Sequence, residues 1–405
     1  MPKSLVYLFF YRFFHYNICM KLNDNLIAFT GGGTGGHIYP GLAVADELKI
    51  LSKQNNKTIK IMWIGCSKGM DKKIVETASS SDGTSIADLF FGIPSGKLRR
   101  YFSLKNFTDL FRIFAGFVKS FYILKKQKPA VLFSKGGFVS VPPCFAAKIL
   151  KIPVFTHECD FTLGLANKIN FKFAKKMFVS YEETKNKLDF ESQKKIFVTG
   201  NPIRPVFYHT NPKNGLSFVG ISENHQKPVL LILGGSSGAK QINNLVYENL
   251  DYLCKNFIVI HQTGLINNSE NEEKNLKEKY SDYKPFSFIY KEMPDVLSCA
   301  DIVLSRAGAN SIWEAAVLKK PMILIPLCGN GTRGDQVDNS KFFEEKGGAI
   351  MLLGEKANSE ELKNALNKML NLDTRKKYEL SLSKIIGDVP PAKKIALILY
   401  DEIFN

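Results

Sequence analysis

Short apolar runs bounded by glycine and polar residues recur along this chain, and stretches with apolar residues at helical spacing lie between them. Leu26 to Thr30 is the first run and reads as a buried strand; Ile38 to Leu48 after it has the periodicity of a helix. Runs at 58–64, 130–133, 154–156, 176–179 and 196–198 continue the series. A second series follows at 229–233, 257–261, 287–290, 302–304, 322–325 and 349–352. Apolar strands alternating with helices predict α/β domains whose parallel sheets are covered on both faces. The turn-rich segment Gly200-Asn201-Pro202-Ile203-Arg204-Pro205 divides the two series. Ala392 to Asn405 reads as a closing helix, with Pro390-Pro391 as the break before it.

A length of 405 residues suits two domains rather than one core. Apolar content of 45% and charged content of 23% are those of an ordinary globular protein. The net charge of +17 changes the picture, because it calls for an anionic partner: nucleic acid, a phosphorylated metabolite or an acidic membrane. No nucleic-acid motif is present, and no nucleic-acid partner is expected. The seven cysteines, at 19, 66, 144, 159, 254, 299 and 328, are scattered and form no C-x-x-C pair. They read as reduced cytosolic thiols. Residues 1–20 differ from the rest: Leu5 to Phe14 is apolar and aromatic but interrupted by Arg12, too short to span a bilayer, and lacks a signal-cleavage site. An upstream start assigned in error, with Met20 as the true start, and an interfacial anchor both stay open.

The chemistry-bearing residues follow the apolar runs. Gly31-Gly32-Gly33-Thr34-Gly35-Gly36-His37 joins the first strand to the first helix, and Gly234-Gly235-Ser236-Ser237-Gly238-Ala239-Lys240 repeats the corner in the second half. Glycines admit a ligand close to backbone N–H groups, and a helix N-terminus favours negative charge. His37 adds a group able to move protons near neutral pH. The first loop matches G-x-G-x-x-G, but no ribose-binding acid follows at the end of the second strand, which weakens a dinucleotide reading. There is no Gly-Lys-Ser/Thr, so a P-loop is excluded.

A third loop, Ser134-Lys135-Gly136-Gly137-Phe138-Val139-Ser140, and the segment His157-Glu158-Cys159-Asp160 also fall at carboxyl ends of strands, where ligand sites belong in parallel sheets. A plain tight turn at Gly136-Gly137 and a core histidine at His157 are the alternatives. In the second half, Glu314 stands in Ser305-Arg306-Ala307-Gly308-Ala309-Asn310-Ser311-Ile312-Trp313-Glu314. It can accept hydrogen bonds from a ribose diol, or close a capping box with Ser311. Asp335, Gln336 and Asn339 open a later helix and suit sugar hydroxyls, with N-capping by Asp335 as the alternative.

Taken in order, GGGTGGHIYPGLAVADEL, SKGGFVS, THECDFTLGLANK, GNPIR, LGGSSGAKQIN, HQTG, SRAGANSIWEAA and GDQVDNSKFFEEKGGA resemble the MurG family of glycosyltransferases over nearly the whole chain from Met20. That family adds N-acetylglucosamine to the lipid-linked muramoyl-pentapeptide of peptidoglycan synthesis. The resemblance implies an α/β fold of the GT-B type, two Rossmann-like domains with parallel sheets facing across a cleft. It implies an acceptor and membrane domain at 21–201, with the helix 392–405 packing back on it, and a UDP-sugar-binding domain at 202–391. It also implies roles. Glu314 holds the ribose hydroxyls, and the backbone of Ile289 and Tyr290 reads uracil. Ser236 and Arg204 hold the diphosphate; Asp335 and Gln336 hold sugar hydroxyls. Thr34, Gly35, Gly36, His37 and Asp160 face the reacting centre, with Asn167 and Lys168 behind them. The chain departs from the family at Cys159 and Asp160, where Gln-Asn is usual, at Phe138, where tyrosine is usual, and at Asp335.

The expected reaction is inverting transfer from UDP-N-acetylglucosamine to lipid I, giving lipid II, with His37 as first candidate for general base and Asp160 as the next. No cofactor and no catalytic metal are expected, since helix-terminal N–H groups can take up the leaving-group charge. The expected location is the cytoplasmic face of the inner membrane, peripheral, against its anionic surface. Residues 97–128 carry nine basic side chains against one acid, Asp109. Within them the stripe Phe107, Phe111, Phe114, Val118 and Phe121 reads as core, and Leu98, Tyr101, Phe102 and Leu104 as membrane contacts. A diacylglycerol glycosyltransferase, a UDP-N-acetylglucosamine 2-epimerase and a non-catalytic membrane scaffold are the alternatives.

Overall fold

The computed structural model describes residues 22–80, 82–96, 104–234, 239–264, 270–329, 332 and 334–404, with backbone alone at 104–107 and 270–274. The extension 1–20, the basic segment 97–103 with Leu98, Tyr101 and Phe102, and Ser236 therefore lie outside the described residues. The chain divides into two compact units. The first comprises the described residues of 1–159, 163–202 and 391–405, and the second those of 160–162 and 203–390.

The first unit is built on seven parallel strands: β1 (Leu26–Thr30), β2 (Lys60–Cys66), β3 (Leu89–Ile93), β4 (Leu132–Ser134), β5 (Val154–Glu158), β6 (Lys176–Val179) and β7 (Ile196–Val198). Their order is β3-β2-β1-β4-β5-β6-β7. Every residue of β1 is buried, because helices cover both faces of the sheet. Ile27 and Phe29 face Leu42, Val44 and Leu48 of the helix Tyr39–Gln54 and Ile395 and Leu399 of the closing helix Pro391–Phe404. Leu26 and Ala28 face Ile123, Leu124, Cys144 and Ala147 on the other side.

The second unit repeats the plan with β8 (Val229–Leu233), β9 (Ile258–Gln262), β10 (Tyr283–Phe286), β11 (Ile302–Ser305), β12 (Met322–Leu324) and β13 (Ala349–Met351), ordered β10-β9-β8-β11-β12-β13. Both sheets change direction of winding beside their first strand, between β1 and β4 and between β8 and β11. Ligand crevices of open α/β sheets form at such switch points. The glycine loops after β1, β4 and β8, and the Ser305–Glu314 segment after β11, all start there.

Three expectations need correction. The strand expected at 287–290 lies instead at β10, four residues earlier, and carries Pro285 inside it; an edge strand tolerates the missing donor. β3, the other end of the pattern, has no counterpart among the expected runs. The stripe on the helix Leu104–Gln127 is core only at Phe121, which packs beside Phe117; Phe111 is 63%, Phe114 64% and Val118 51% exposed. The helix packs instead through the face that carries Gly116, Phe117, Ser120, Ile123 and Leu124. Ser120 is buried, and a side chain at Gly116 would meet the carbonyl of Pro94, so the backbones sit too close for a phenylalanine between them.

Candidate functional site

In the first unit the glycine loops after β1 and β4 meet. A Cβ on Gly137 would stand 2.8 Å from Cδ2 of His37 and 3.0 Å from the Gly32 carbonyl, and the φ of +77° at Gly137 favours glycine as well. A Cβ on Gly33 would stand 2.5 Å from the Phe138 ring. The His37 ring thus rests on the second loop, and the Phe138 ring rests on the first. His37 ends a single 3₁₀ turn, Gly35–His37, closed by the His37 N–H donating to Thr34 O at 3.1 Å. Thr34 is exposed; Gly35, Gly36 and His37 are half-buried.

The first loop is anchored from β2 and from the start of the helix Asp71–Thr77 that follows it. The Trp63 indole N–H donates to Gly31 O at 3.1 Å, and Thr30 Oγ1 donates to Ile64 O at 2.8 Å. Asp71 completes the anchor: the Gly33 N–H donates to its two oxygens at 2.9 and 3.2 Å, and the Cys66 N–H donates to Oδ2 at 2.8 Å. The Gly33 N–H is thus engaged inside the fold rather than offered to a ligand. In the second loop the Gly136 N–H likewise donates to Ser134 Oγ at 3.1 Å.

Behind the loops lies a buried polar layer. Asn167, expected at the substrate, is buried with its amide engaged internally. It donates to His157 O at 2.9 Å and to Glu158 Oε2 at 3.0 Å, and accepts from Thr156 Oγ1 at 2.9 Å. It braces Gly136, whose Cβ would stand 2.7 Å from it. Glu158 also accepts from the N–H groups of Cys159 and Gly164 at 2.9 and 2.8 Å. His157 is buried, its Nε2 3.0 Å from Gly200 O, and burial, aided by the Lys135 charge, holds it neutral. It is a core histidine. Among the described residues only Glu158, Cys159 and Asp160 group metal-ligating atoms, within 4.8 Å of one another. Both Glu158 oxygens are already hydrogen-bonded, which suits bracing better than coordination.

In the second unit, the helix Ala309–Val317 starts at Gly308 with no side-chain cap. Ser311 and Glu314 therefore form no capping box, and Glu314 stands in the second helical turn rather than the first. Arg204 Nη2 lies 4.0 Å from Glu314 Oε1, and the guanidinium also lies over the Phe207 ring at 5.1 Å. Burial pushes the Glu314 carboxyl up to about 7, and Arg204 opposes the shift. Arg204, expected at the diphosphate, thus also neighbours the ribose candidate.

The segment expected to read a base is hung from β9. Gln262 Oε1 accepts from the Ile289 N–H at 3.0 Å, and the Thr263 and Gly264 N–H groups donate to Phe286 O and Ser287 O at 2.9 and 3.0 Å. Ile289 is buried and Tyr290 is exposed. Asp335 and Gln336 open the helix Asp335–Glu345, with Gly334 rather than Asp335 at the N-cap position. Gln336 Oε1 accepts from the Leu327 N–H at 2.9 Å, which leaves its amide N–H₂ for a ligand. Asn339 is buried and engaged: its Nδ2 donates to Ala307 O at 3.2 Å, and its Oδ1 accepts from the Phe161 N–H at 3.2 Å. Asp160 is half-buried in the same short segment, 160–162, of the second unit.

Asp71 and Gln262 escaped the sequence reading. Their partners lie 38 and 27 residues away, and no local pattern announces either contact.

Residues 27–179 match the glycosyltransferase family 28 N-terminal domain, and residues 229–386 match the glycosyltransferase family 28 C-terminal domain. A Treponema denticola protein named UDP-N-acetylglucosamine--N-acetylmuramyl-(pentapeptide) pyrophosphoryl-undecaprenol N-acetylglucosamine transferase is 52% identical over 335 residues, 81% of this chain and 84% of its own. A Staphylococcus aureus protein of the same name is 41% identical over 367 residues, 88% of this chain and 96% of its own. Among solved structures, Acinetobacter baumannii MurG superposes with a TM-score of 0.67 at 22% identity, covering 93% of this chain and 98% of that one. The Neisseria meningitidis UDP-GlcNAc 2-epimerase superposes at 0.61 and 17%, covering 93% and 99%. At these identities the two structures share the fold alone.

Proposed function

This chain belongs to glycosyltransferase family 28, among the MurG enzymes, and we propose how its residues divide the work of glycosyl transfer. It is an N-acetylglucosaminyltransferase: N-acetylglucosamine passes from UDP-N-acetylglucosamine to the muramoyl-pentapeptide of a lipid-linked acceptor, lipid I, giving lipid II. The second unit holds the donor. The Glu314 carboxylate accepts the two ribose hydroxyls, the Ile289–Tyr290 backbone meets uracil, and Asp335 and the Gln336 amide meet the sugar. Arg204 and the 234–238 loop, with Ser236 in it, face the diphosphate. The observation that carries this assignment is Glu314, a carboxylate held by burial near its neutral form beside a single arginine. A half-buried acid of that kind suits a ligand that brings hydroxyl donors to it.

The first unit supplies the base. The acceptor hydroxyl attacks the anomeric carbon, the bond from that carbon to the diphosphate oxygen breaks with inversion, UDP departs, and His37 takes the hydroxyl proton. Thr34, Gly35 and Gly36 shape the approach, and Asp160 borders the sugar. The fixed seat of the His37 ring on Gly137 supports this role, since a base must be held in position.

A lipid-linked acceptor requires work at a membrane surface, and no described helix is long and apolar enough to cross one. The exposed face of Leu104–Gln127 suits that task. Leu110, Phe111, Phe114, Val118 and Tyr122 form a stripe, with Arg112, Lys119, Lys125 and Lys126 exposed beside it. This supports peripheral binding to the anionic cytoplasmic face of the inner membrane. Incubation of the purified protein with labelled UDP-N-acetylglucosamine and lipid-linked muramoyl-pentapeptide tests the reading. Label should enter that lipid and not diacylglycerol. Transfer to diacylglycerol, or conversion of the donor sugar to its C2 epimer, would contradict it.

A further inference from the structure

Asp71 has no role in binding donor or acceptor, yet it is 1% exposed and lies under the loop that carries His37. Burying a carboxylate is costly, and here desolvation raises its pKa against three stabilising backbone hydrogen bonds. Its contacts all lead to one place. Both oxygens accept from the Gly33 N–H, and Oδ2 also accepts from the Cys66 N–H at the end of β2. A side chain at Gly32 would collide with the same carboxylate. From Gly33 the chain runs through Thr34 into the 3₁₀ turn Gly35–His37, and the His37 ring then meets Gly137. With Gly31 held by the Trp63 indole, the loop is pinned at its first glycine from β2 and at its third from the start of the helix Asp71–Thr77.

We propose that Asp71 is a positioning residue for the transfer reaction, one that fixes the Gly33 backbone so that the His37 ring is held on Gly137 in reach of the acceptor hydroxyl. It touches no substrate. Its effect is on the rate with which a bound acceptor is deprotonated, and not on donor binding, whose residues lie in the second unit. The inference rests on His37 as general base.

Asp71→Asn keeps the volume and one acceptor, but turns an amide N–H₂ toward backbone N–H groups that need an acceptor. A loop released by about 1 Å can lower turnover by roughly a hundredfold. The test is a double-mutant cycle of D71N and H37A in the full chain, reading kcat, the KM for UDP-N-acetylglucosamine and thermal melting. D71N should lose about 10- to 100-fold in kcat with the donor KM unchanged, D71E should recover most of it, and D71N/H37A should be no slower than H37A alone. A role in fold stability alone would lower melting and multiply with H37A, and that result overturns the proposal. So does D71N turnover within about twofold of the parent. The cycle is repeated with D71S, and loss of fold in both variants overturns positioning in favour of a structural role. A slow H37A with an unaffected D71N refutes only the claim for Asp71; near-normal H37A turnover refutes the base assignment beneath it.

Discussion

Replacing Glu314 by glutamine should make the protein more stable at alkaline pH and worse at binding its donor. The carboxyl is raised from 4.5 to about 7 by burial, with Arg204 at 4.0 Å only partly offsetting it. A carboxyl moved from 4.5 to about 7 has its charged form disfavoured by up to about 3 kcal/mol. The sign follows from the raised value. The favourable contribution of protonated Glu314 is fully present below pH 4.5 and is lost as pH rises through about 7. Above that pH the folded chain holds a carboxylate at a cost that glutamine does not carry. Denaturant unfolding should therefore show E314Q more stable than the parent at pH 8, by up to about 3 kcal/mol, with the gap closing toward pH 5. Donor binding should run the other way. Charge-assisted bonds to the ribose hydroxyls are worth about 1.5–3 kcal/mol, so E314Q should bind UDP-N-acetylglucosamine roughly 10- to 100-fold more weakly at pH 8. Parent affinity should fall by up to about 30-fold between pH 8 and 5.5 as the carboxylate takes up its proton, while E314Q stays flat. Calorimetry with UDP-N-acetylglucosamine avoids the titrating phosphate of free UDP. A parent affinity that is flat over this range, or an E314Q affinity that keeps the slope, refutes the reasoning.

Other perturbations separate the remaining roles. Phe111→Ser with Phe114→Ser should weaken binding to anionic vesicles at least tenfold in sedimentation, since each phenylalanine contributes about 1.5–3 kcal/mol when buried, and leave donor affinity alone. Gly137→Ala places a methyl group against the His37 ring at a φ of +77° and should lower kcat while UDP affinity holds, as read by parallel kinetics and calorimetry. His261 should make the second unit acid-sensitive: burial lowers it from 6.5 to about 3, with its ring nitrogens on Tyr283 Oη and Asn243 Oδ1. Its contribution is present above pH 6.5 and lost as pH falls toward 3, so His261→Asn should flatten the pH dependence of unfolding in that interval.

Much of this arrangement was legible because both sheets are covered on two faces. Strands such as Leu26–Thr30 and Val229–Leu233 must then be apolar throughout, and they stand out from the helices around them. Edge strands lack that constraint: β10 holds a proline and β3 a glycine, and neither reads clearly. The glycine loops were legible because close backbone approach admits no other residue, as at Gly137. The Phe111 stripe misled because spacing identifies an apolar face without saying what covers it, and here the close contact at Gly116 decided which face packs. Asp71 and Gln262 were invisible for another reason. Each acts through backbone N–H groups, Asp71 on Gly33 and Cys66 and Gln262 on Ile289, and a backbone donor leaves no trace in residue identity.

The division of labour between a base in the first unit and donor binding in the second is tested most directly by His37→Ala. Turnover and UDP affinity are measured on the same preparation across pH. General-base catalysis contributes typically about 10²–10⁴-fold. Turnover should fall on that scale, the acidic limb of the pH–rate profile should vanish, and UDP affinity should stay within about twofold. A loss of only a few-fold with the limb intact would contradict the account and move the proton to Asp160.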